Sequence, residues 1–241
     1  MRIGLLEADR LDDTLREQYG SYGDMFEHLL KSVDGSLLFS RYQVTDCLYP
    51  QHVDDCDAYL ITGSKSGTYD DEPWIQRLQD YVTCLAGRRK KLIGICFGHQ
   101  LIAQALGGHA EKSGKGWGVG LATSAVYVSK PWMDPAKDKY ALITSHQDQV
   151  TTLPPRAELI AGDEFCTYAS YQIGDHVLTF QGHPEFTPAY ARQRMDDRRK
   201  ILGEQTYQQG IASLNQDADH QLIAKWIINF LYLETPTMGL E

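Results

Sequence analysis

The chain has 241 residues, 42% of them hydrophobic, and a formal net charge of −9 at pH 7. That is enough apolar material for a folded domain with a sizeable core, and it excludes an intrinsically disordered acidic chain. The acidic balance argues against a nucleic-acid surface, which needs a basic face, and no apolar run approaches the roughly 20 residues of a membrane span. Neither nucleic acid nor membrane is therefore expected as a partner.

In chain order, residues 3–6 read as a buried strand. Residues 12–31 form a loosely amphipathic helical region, interrupted near Gly20 and Gly23. Residues 36–44 alternate like a strand, and 58–62 are apolar throughout, as in a buried parallel strand. A helix over 73–85 starts at Pro73, which suits a first helical position. A second apolar run, 92–95, leads into a helix over 100–106 that Gly107 and Gly108 stop. Residues 114–120 form a glycine-rich turn. Strands follow at 119–128, 140–144, 158–161 and 177–180. Helical patterns then dominate at 188–202, 204–214 and 219–233. Alternating β and α early, with more β later, predicts an α/β fold: a three-layer, open, mostly parallel sheet flanked by helices. It would carry an antiparallel extension and a helical C-terminus. Residues 1–190 are expected to form the main domain, with 191–241 a helical extension packed on it. The basic clusters 88–91 and 198–200 read as solvated helix-end charges.

The five cysteines are odd in number and lack Cys-x-x-Cys spacing, so neither a disulfide framework nor a zinc site is indicated. Such usage fits a reducing compartment, and the N-terminal residues enter a strand without a signal-peptide core. A cytoplasmic location is the expectation. His109-Ala110-Glu111 imitates the His-x-Glu of zinc deaminases, but no Pro-Cys-x-x-Cys follows. No metal or other cofactor is expected. Gly63-Ser64-Lys65-Ser66-Gly67-Thr68 is not a phosphate loop, because its lysine does not follow the second glycine.

Cys96 carries the chemistry. In Gly94-Ile95-Cys96-Phe97-Gly98-His99-Gln100 it stands where a strand turns into a helix. Unpaired N–H groups and the helix dipole favour a thiolate there, the geometry of a nucleophile elbow. A nucleophile needs a base, and the base needs an orienting group. His183 and Glu185, in Gly182-His183-Pro184-Glu185, are two apart next to a proline that favours extended backbone, so both side chains can point one way. His99 lies too close in sequence to Cys96 to face it. Ser145-His146-Gln147-Asp148 is discounted as a Ser/His/Asp triad because neighbours on one loop rarely converge. His28, His52, His176 and His220 read as surface or packing residues.

Together the Cys96 elbow and the His183-Pro184-Glu185 end resemble the class I, or triad, glutamine amidotransferase family. Leu60-Ile61-Thr62-Gly63-Ser64 is similar to the family's oxyanion strand and turn, although Ser64 stands where the family commonly has glycine. Ser145-His146-Gln147-Asp148-Gln149-Val150 resembles a loop in the glutaminase part of GMP synthetase. No ATP pyrophosphatase loop is present, so the resemblance is to a stand-alone member. It implies that Cys96 attacks a glutamine side-chain amide to form a γ-glutamyl thioester, with His183 as acid–base and Glu185 orienting it. Backbone N–H groups of Phe97 and of Gly63 or Ser64 would hold the oxyanion. Gln100, His146 and Gln147 would contact substrate. The implied reaction releases glutamate and ammonia, the latter passing to a separate synthase subunit or to solvent. The alternatives are a γ-glutamyl peptidase acting on glutathione-like conjugates, and a non-catalytic binding module of the same fold.

Overall fold

The computed structural model describes residues 1–233. β1 (Arg2–Glu7) is followed by α1 (Asp13–Tyr19), α2 (Tyr22–Lys31) and β2 (Leu38–Gln43). Then come β3 (Ala58–Ile61), α3 (Pro73–Gly87), β4 (Lys91–Ile95) and α4 (Phe97–Ala105). β5 (His109–Lys112), β6 (Gly118–Val126), β7 (Lys139–His146), β8 (Asp148–Thr152), β9 (Ala157–Gly162), β10 (Ser170–Ile173) and β11 (Val177–Phe180) make up the β-rich middle. α5 (Pro188–Leu202), α6 (Glu204–Ser213) and α7 (His220–Tyr232) close the described chain.

One nine-stranded sheet runs β2-β1-β3-β4-β11-β10-β9-β6-β7. Its first five strands are parallel, and the rest continue antiparallel. The expected α/β sheet with an antiparallel extension is the fold observed. The inner parallel strands β1, β3, β4 and β11 are mostly apolar because helices cover both faces, whereas the edge strand β2 is partly exposed. On one face Trp226 and Phe230 of α7 meet Trp132 edge-on, and Trp226 also meets Tyr140. On the other, Leu78, Val82 and Leu85 of α3 pack with Leu101 and Ile102 of α4.

Two expectations change. The helical region 12–31 breaks at Gly20 alone. Gly23 lies inside α2 because its bare Cα lets Glu7 reach in, and the Gly23 N–H donates to Glu7 Oε1 at 2.8 Å. The capping box of Ser21 with Asp24 starts α2 directly. β5, β8 and β10 were not expected from the pattern. Each is short and largely polar, so no apolar run marks it as one marks the equally short β3 and β11, and β5 and β8 form a separate two-stranded sheet.

α4 begins at Phe97, three residues earlier than its apolar periodicity suggested. Its first turn is clamped between strands. A Cβ on Gly98 would lie 2.5 Å from the Ile61 carbonyl oxygen of β3. Only glycine permits that approach. Gly98→Ala should therefore lower unfolding free energy by about 1–3 kcal/mol, the usual cost of overpacking. Urea denaturation reads this directly, and an unchanged midpoint would contradict the clamp.

Candidate active site

β4 delivers Cys96 to the carboxyl edge of the sheet, where open α/β sheets place ligands. The Cys96 N–H donates to Phe180 O of β11 at 2.9 Å, extending the β4–β11 ladder by one residue. Cys96 then turns sharply, with φ 51° and ψ −102°, at the position capping α4. A non-glycine residue with this φ is strained, a state found at functional sites. The side chain makes no cap hydrogen bond, so the sulfur is left uncommitted at the positive end of α4. The residue is nearly buried, at 6% exposure.

The chain leaving β11 carries the second half. The His183 N–H donates to Ile143 O of β7 at 2.8 Å, which pins the backbone beside the elbow. His183 Nδ1 lies 2.7 Å from Glu185 Oε1. The imidazole stacks on Phe186, with centroids 3.8 Å apart and planes 9° from parallel. Cys96 lines one small cleft with the same imidazole. Gly63 abuts both groups: a Cβ there would meet His183 Cε1 at 2.9 Å and Cys96 Cβ at 3.7 Å. Thus Cys96, His183, Glu185 and Gly63, distant in sequence, share one small volume.

Three buried histidines near this centre differ in charge. Burial alone would depress the His183 pKa, but the Glu185 carboxylate and the Cys96 sulfur outweigh it and raise it to about 10. His99 has no such partner, and burial lowers it to about 3. His146 is lowered to about 4 by burial, against a hydrogen bond to the Asp148 carbonyl. Both therefore stay neutral. His99 packs near Tyr171 and pairs with Thr179 Oγ1 at 2.8 Å. Ser145 Oγ accepts from Arg198, not from His146, so the local Ser/His/Asp arrangement does not form.

A cavity of about 260 Å³ opens beside the sulfur. Ser64, Gln100, His146 and Gln147 all line it, together with Cys96. The Gln100 amide donates to Asp148 O at 2.8 Å and to Gln181 Oε1 at 3.0 Å. Both its hydrogens are in use, so it offers an incoming molecule only its carbonyl oxygen. Gly63 lies against the Cys96 side chain, and Phe97 follows Cys96 as the first residue of α4. Among the described residues the N–H groups of Phe97 and Ser64 meet no protein acceptor.

Several lining residues escaped the sequence reading. Tyr69 donates to Asp148 Oδ2 at 2.9 Å, and burial raises the Asp148 pKa. Lys112, Trp117 and Arg198 complete that wall. Asp148 stood within a recognised segment and could have been named. Arg198 carried no signal, being one of three consecutive basic residues. Arg199 does pair at the surface, with Glu204, whereas Arg198 turns inward over Trp117. His220 of α7 also reaches the site, its Nδ1 2.8 Å from the carbonyl oxygen of Pro184. Among the described residues no cluster of three or more His, Cys, Asp or Glu could hold a metal ion. His109 and Glu111, 3.6 Å apart, are exposed and remote from the elbow.

The family model for glutamine amidotransferase class-I matches residues 16–199. The chain belongs to that family. A glutamine amidotransferase-like protein of Schizosaccharomyces pombe is 30% identical over 95% of this amidotransferase and 98% of its own length. Gamma-glutamyl peptidase 4 of Arabidopsis thaliana is 33% identical, with 71% of this chain and 70% of its own covered. A glutamine amidotransferase structure from Thermotoga maritima superposes with a TM-score of 0.72 at 15% identity, covering 96% of each chain. At that identity it speaks for the fold alone. The matches support the reading of this chain as a glutamine amidotransferase-like hydrolase. No described helix is long and apolar enough to cross a membrane.

Because the His183 pKa is raised in the folded state, folding takes up a proton between its ordinary 6.5 and about 10. Its contribution to stability is full below pH 6.5 and fades as pH rises toward 10. Unfolding free energy should therefore fall across that window, and Glu185→Gln should flatten the decline. Chemical denaturation at half-unit pH steps tests this. A decline of equal slope in both proteins would contradict the assignment.

Proposed function

We propose that this amidotransferase is a cysteine-dependent hydrolase of γ-glutamyl C–N bonds, with Cys96, His183 and Glu185 as its catalytic groups. The observation that carries the reading is the buried constellation itself: a strained, uncapped cysteine beside an imidazole whose Nδ1 lies 2.7 Å from a buried carboxylate. Such a pair presents a sulfur nucleophile and a proton ready for the leaving nitrogen.

In the proposed sequence the sulfur of Cys96 attacks the γ-carbonyl carbon. The carbonyl oxygen, now an oxyanion, accepts from the N–H of Phe97 and from the turn at Gly63 and Ser64. One such donor stabilises a transition state by roughly 2.7–4 kcal/mol. The C–N bond breaks as the proton on His183 passes to the departing nitrogen, leaving a γ-glutamyl thioester. Water then attacks the thioester carbon, giving its proton to His183, and the thiolate leaves. Glu185 holds the ring throughout and stabilises its charge. Gln100, His146 and Gln147 shape the acyl cavity. Lys112 and Asp148, of opposite sign, suit the carboxylate and ammonium of an amino-acid head.

Glutamine is the minimal substrate, its ammonia released or handed to a separate synthase subunit. A second reading, hydrolysis of γ-glutamyl peptides, draws support from the Arabidopsis relative. A cytoplasmic site of action fits the unpaired cysteines.

A γ-glutamyl diazoketone should form one adduct, on Cys96, by peptide mass spectrometry. Cys96→Ser should lose at least about 10³-fold in glutamate release while keeping its circular dichroism. Labelling spread evenly over the five cysteines, or a Ser variant of undiminished rate, would sink the mechanism. Gly63→Ala should cost about 10²-fold or more in kcat, because its methyl group would strike the His183 ring and a misplacement of about 1 Å has that effect. A steady-state assay beside wild type checks it.

A further inference from the structure

Some exposed arginines of this acidic chain hold carboxylates closely. Arg41 reaches Asp24 at 2.7 Å and Glu27 at 2.6 Å, and Arg199 reaches Glu204 at 2.6 Å. Two arginines of α5 are half-buried and yet have no close carboxylate among the described residues. Arg198 is half-buried and has no carboxylate partner among the described residues. It donates once, to Ser145 Oγ at 3.2 Å, and lies 5.3 Å over the Trp117 ring. Arg194, one helical turn earlier, approaches Asp197 only at 3.8 Å, although its side chain is just 16% exposed. A guanidinium has five donors in a planar fork made for a carboxylate, and most of these donors are idle here. Burial and the repulsion of Arg194 both work against the charge on Arg198. An anion arriving from outside would relieve both.

The place of this pair decides which part of a substrate it would meet. Arg194 and Arg198 line a cleft of about 20 Å³ with Cys96, His183 and Phe186, and Arg198 also borders the larger cavity, so it stands where the two spaces meet. Gln100, Lys112 and Asp148 line the larger cavity, which His183 does not border. The group that protonates a leaving nitrogen must lie on the leaving side. Hence the larger cavity receives the γ-glutamyl half, and the cleft with the two arginines faces the departing half. Ammonia, leaving from glutamine, has nothing for a guanidinium fork to hold.

We propose that Arg194 and Arg198 form a leaving-group subsite that selects γ-glutamyl peptides whose departing half ends in a free carboxylate. The proposal rests on the γ-glutamyl hydrolase reading and adds a substrate class and two specificity residues to it. The carboxylate accepts from the guanidinium fork, and the peptide nitrogen is thereby held against His183. No covalent step beyond those above is added.

The test compares kcat/KM of wild type for γ-glutamyl-cysteinylglycine and for the same peptide with its C-terminus amidated. The acid should be favoured roughly 10- to 100-fold, the worth of one charge-assisted contact. Arg198→Met and Arg194→Met should each shrink that ratio toward 1, and Arg198→Lys should keep an intermediate one. The ratio is read within each protein, so a general loss of rate does not obscure it. Equal rates for acid and amide in wild type would overturn the proposal. So would an undiminished ratio in both Met variants, which would leave the arginines only a role beside the sulfur. If neither peptide turns over, calorimetry of both with Cys96→Ser provides the second reading, and equal affinity for the two overturns the subsite. Failure of the underlying hydrolase reading looks different: the diazoketone would leave Cys96 unlabelled and glutamine would yield no glutamate.

Discussion

The parallel pairing of β4 with β11 is the constraint on which the site depends. Ile95 lies opposite Phe180, and the Cys96 N–H bonds to the Phe180 carbonyl. That register fixes where both strands end, so the elbow and the His183 segment leave the sheet side by side. The second fixed point is the His183 N–H on Ile143 O, which ties the segment to the antiparallel half. A shift of one residue in the β4–β11 pairing would carry the imidazole away from the sulfur and reverse the faces of the strand. Strain at Cys96, on the order of 1–3 kcal/mol for such backbone, persists because α4 is clamped against β3 and β4 on both sides.

Charge in the centre follows from partners more than from depth. His99, His146 and His183 are all buried, yet only His183 is driven toward its protonated form. The difference is Glu185, whose side chain has no exposure at all. Burying such a pair contributes little net stability, since desolvation opposes the Coulomb gain. Its effect is local: it keeps a proton on the ring and fixes the ring's plane. Phe186 stacks beneath and allows no rotation without loss of that contact. The second oxygen of Glu185 finds no protein partner among the described residues, which leaves its charge directed at the histidine.

The helices after the His183 segment return to the site they follow. His220 of α7 contacts the Pro184 carbonyl, and Arg198 of α5 contacts Ser145 at the end of β7. Trp226, deep in the core beside Trp132 and Tyr140, anchors α7. These helices therefore buttress the loop that bears His183 and Glu185, and they supply the cationic side of the cleft.

The sequence by itself determined most of the frame and singled out the residues that meet at the site. Cys96 between two glycines, where an apolar run meets a helical one, and His183 two residues before Glu185 across a proline, are local patterns. Local patterns report backbone geometry, which is why the elbow, the long helices and the buried strands could be read directly. Short, largely polar strands such as β5, β8 and β10 carry no apolar run to mark them, and Gly23 has a reason to be glycine only once Glu7 lies against it. Nor can a run of three basic residues say which one turns inward. Arg198 differs from Arg199 only in facing the sheet, where Trp117 and Ser145 wait and no carboxylate does. The direction of a side chain, the charge of a buried histidine and the sidedness of a cleft depend on neighbours from distant parts of the chain, and only the tertiary structure brings those neighbours together.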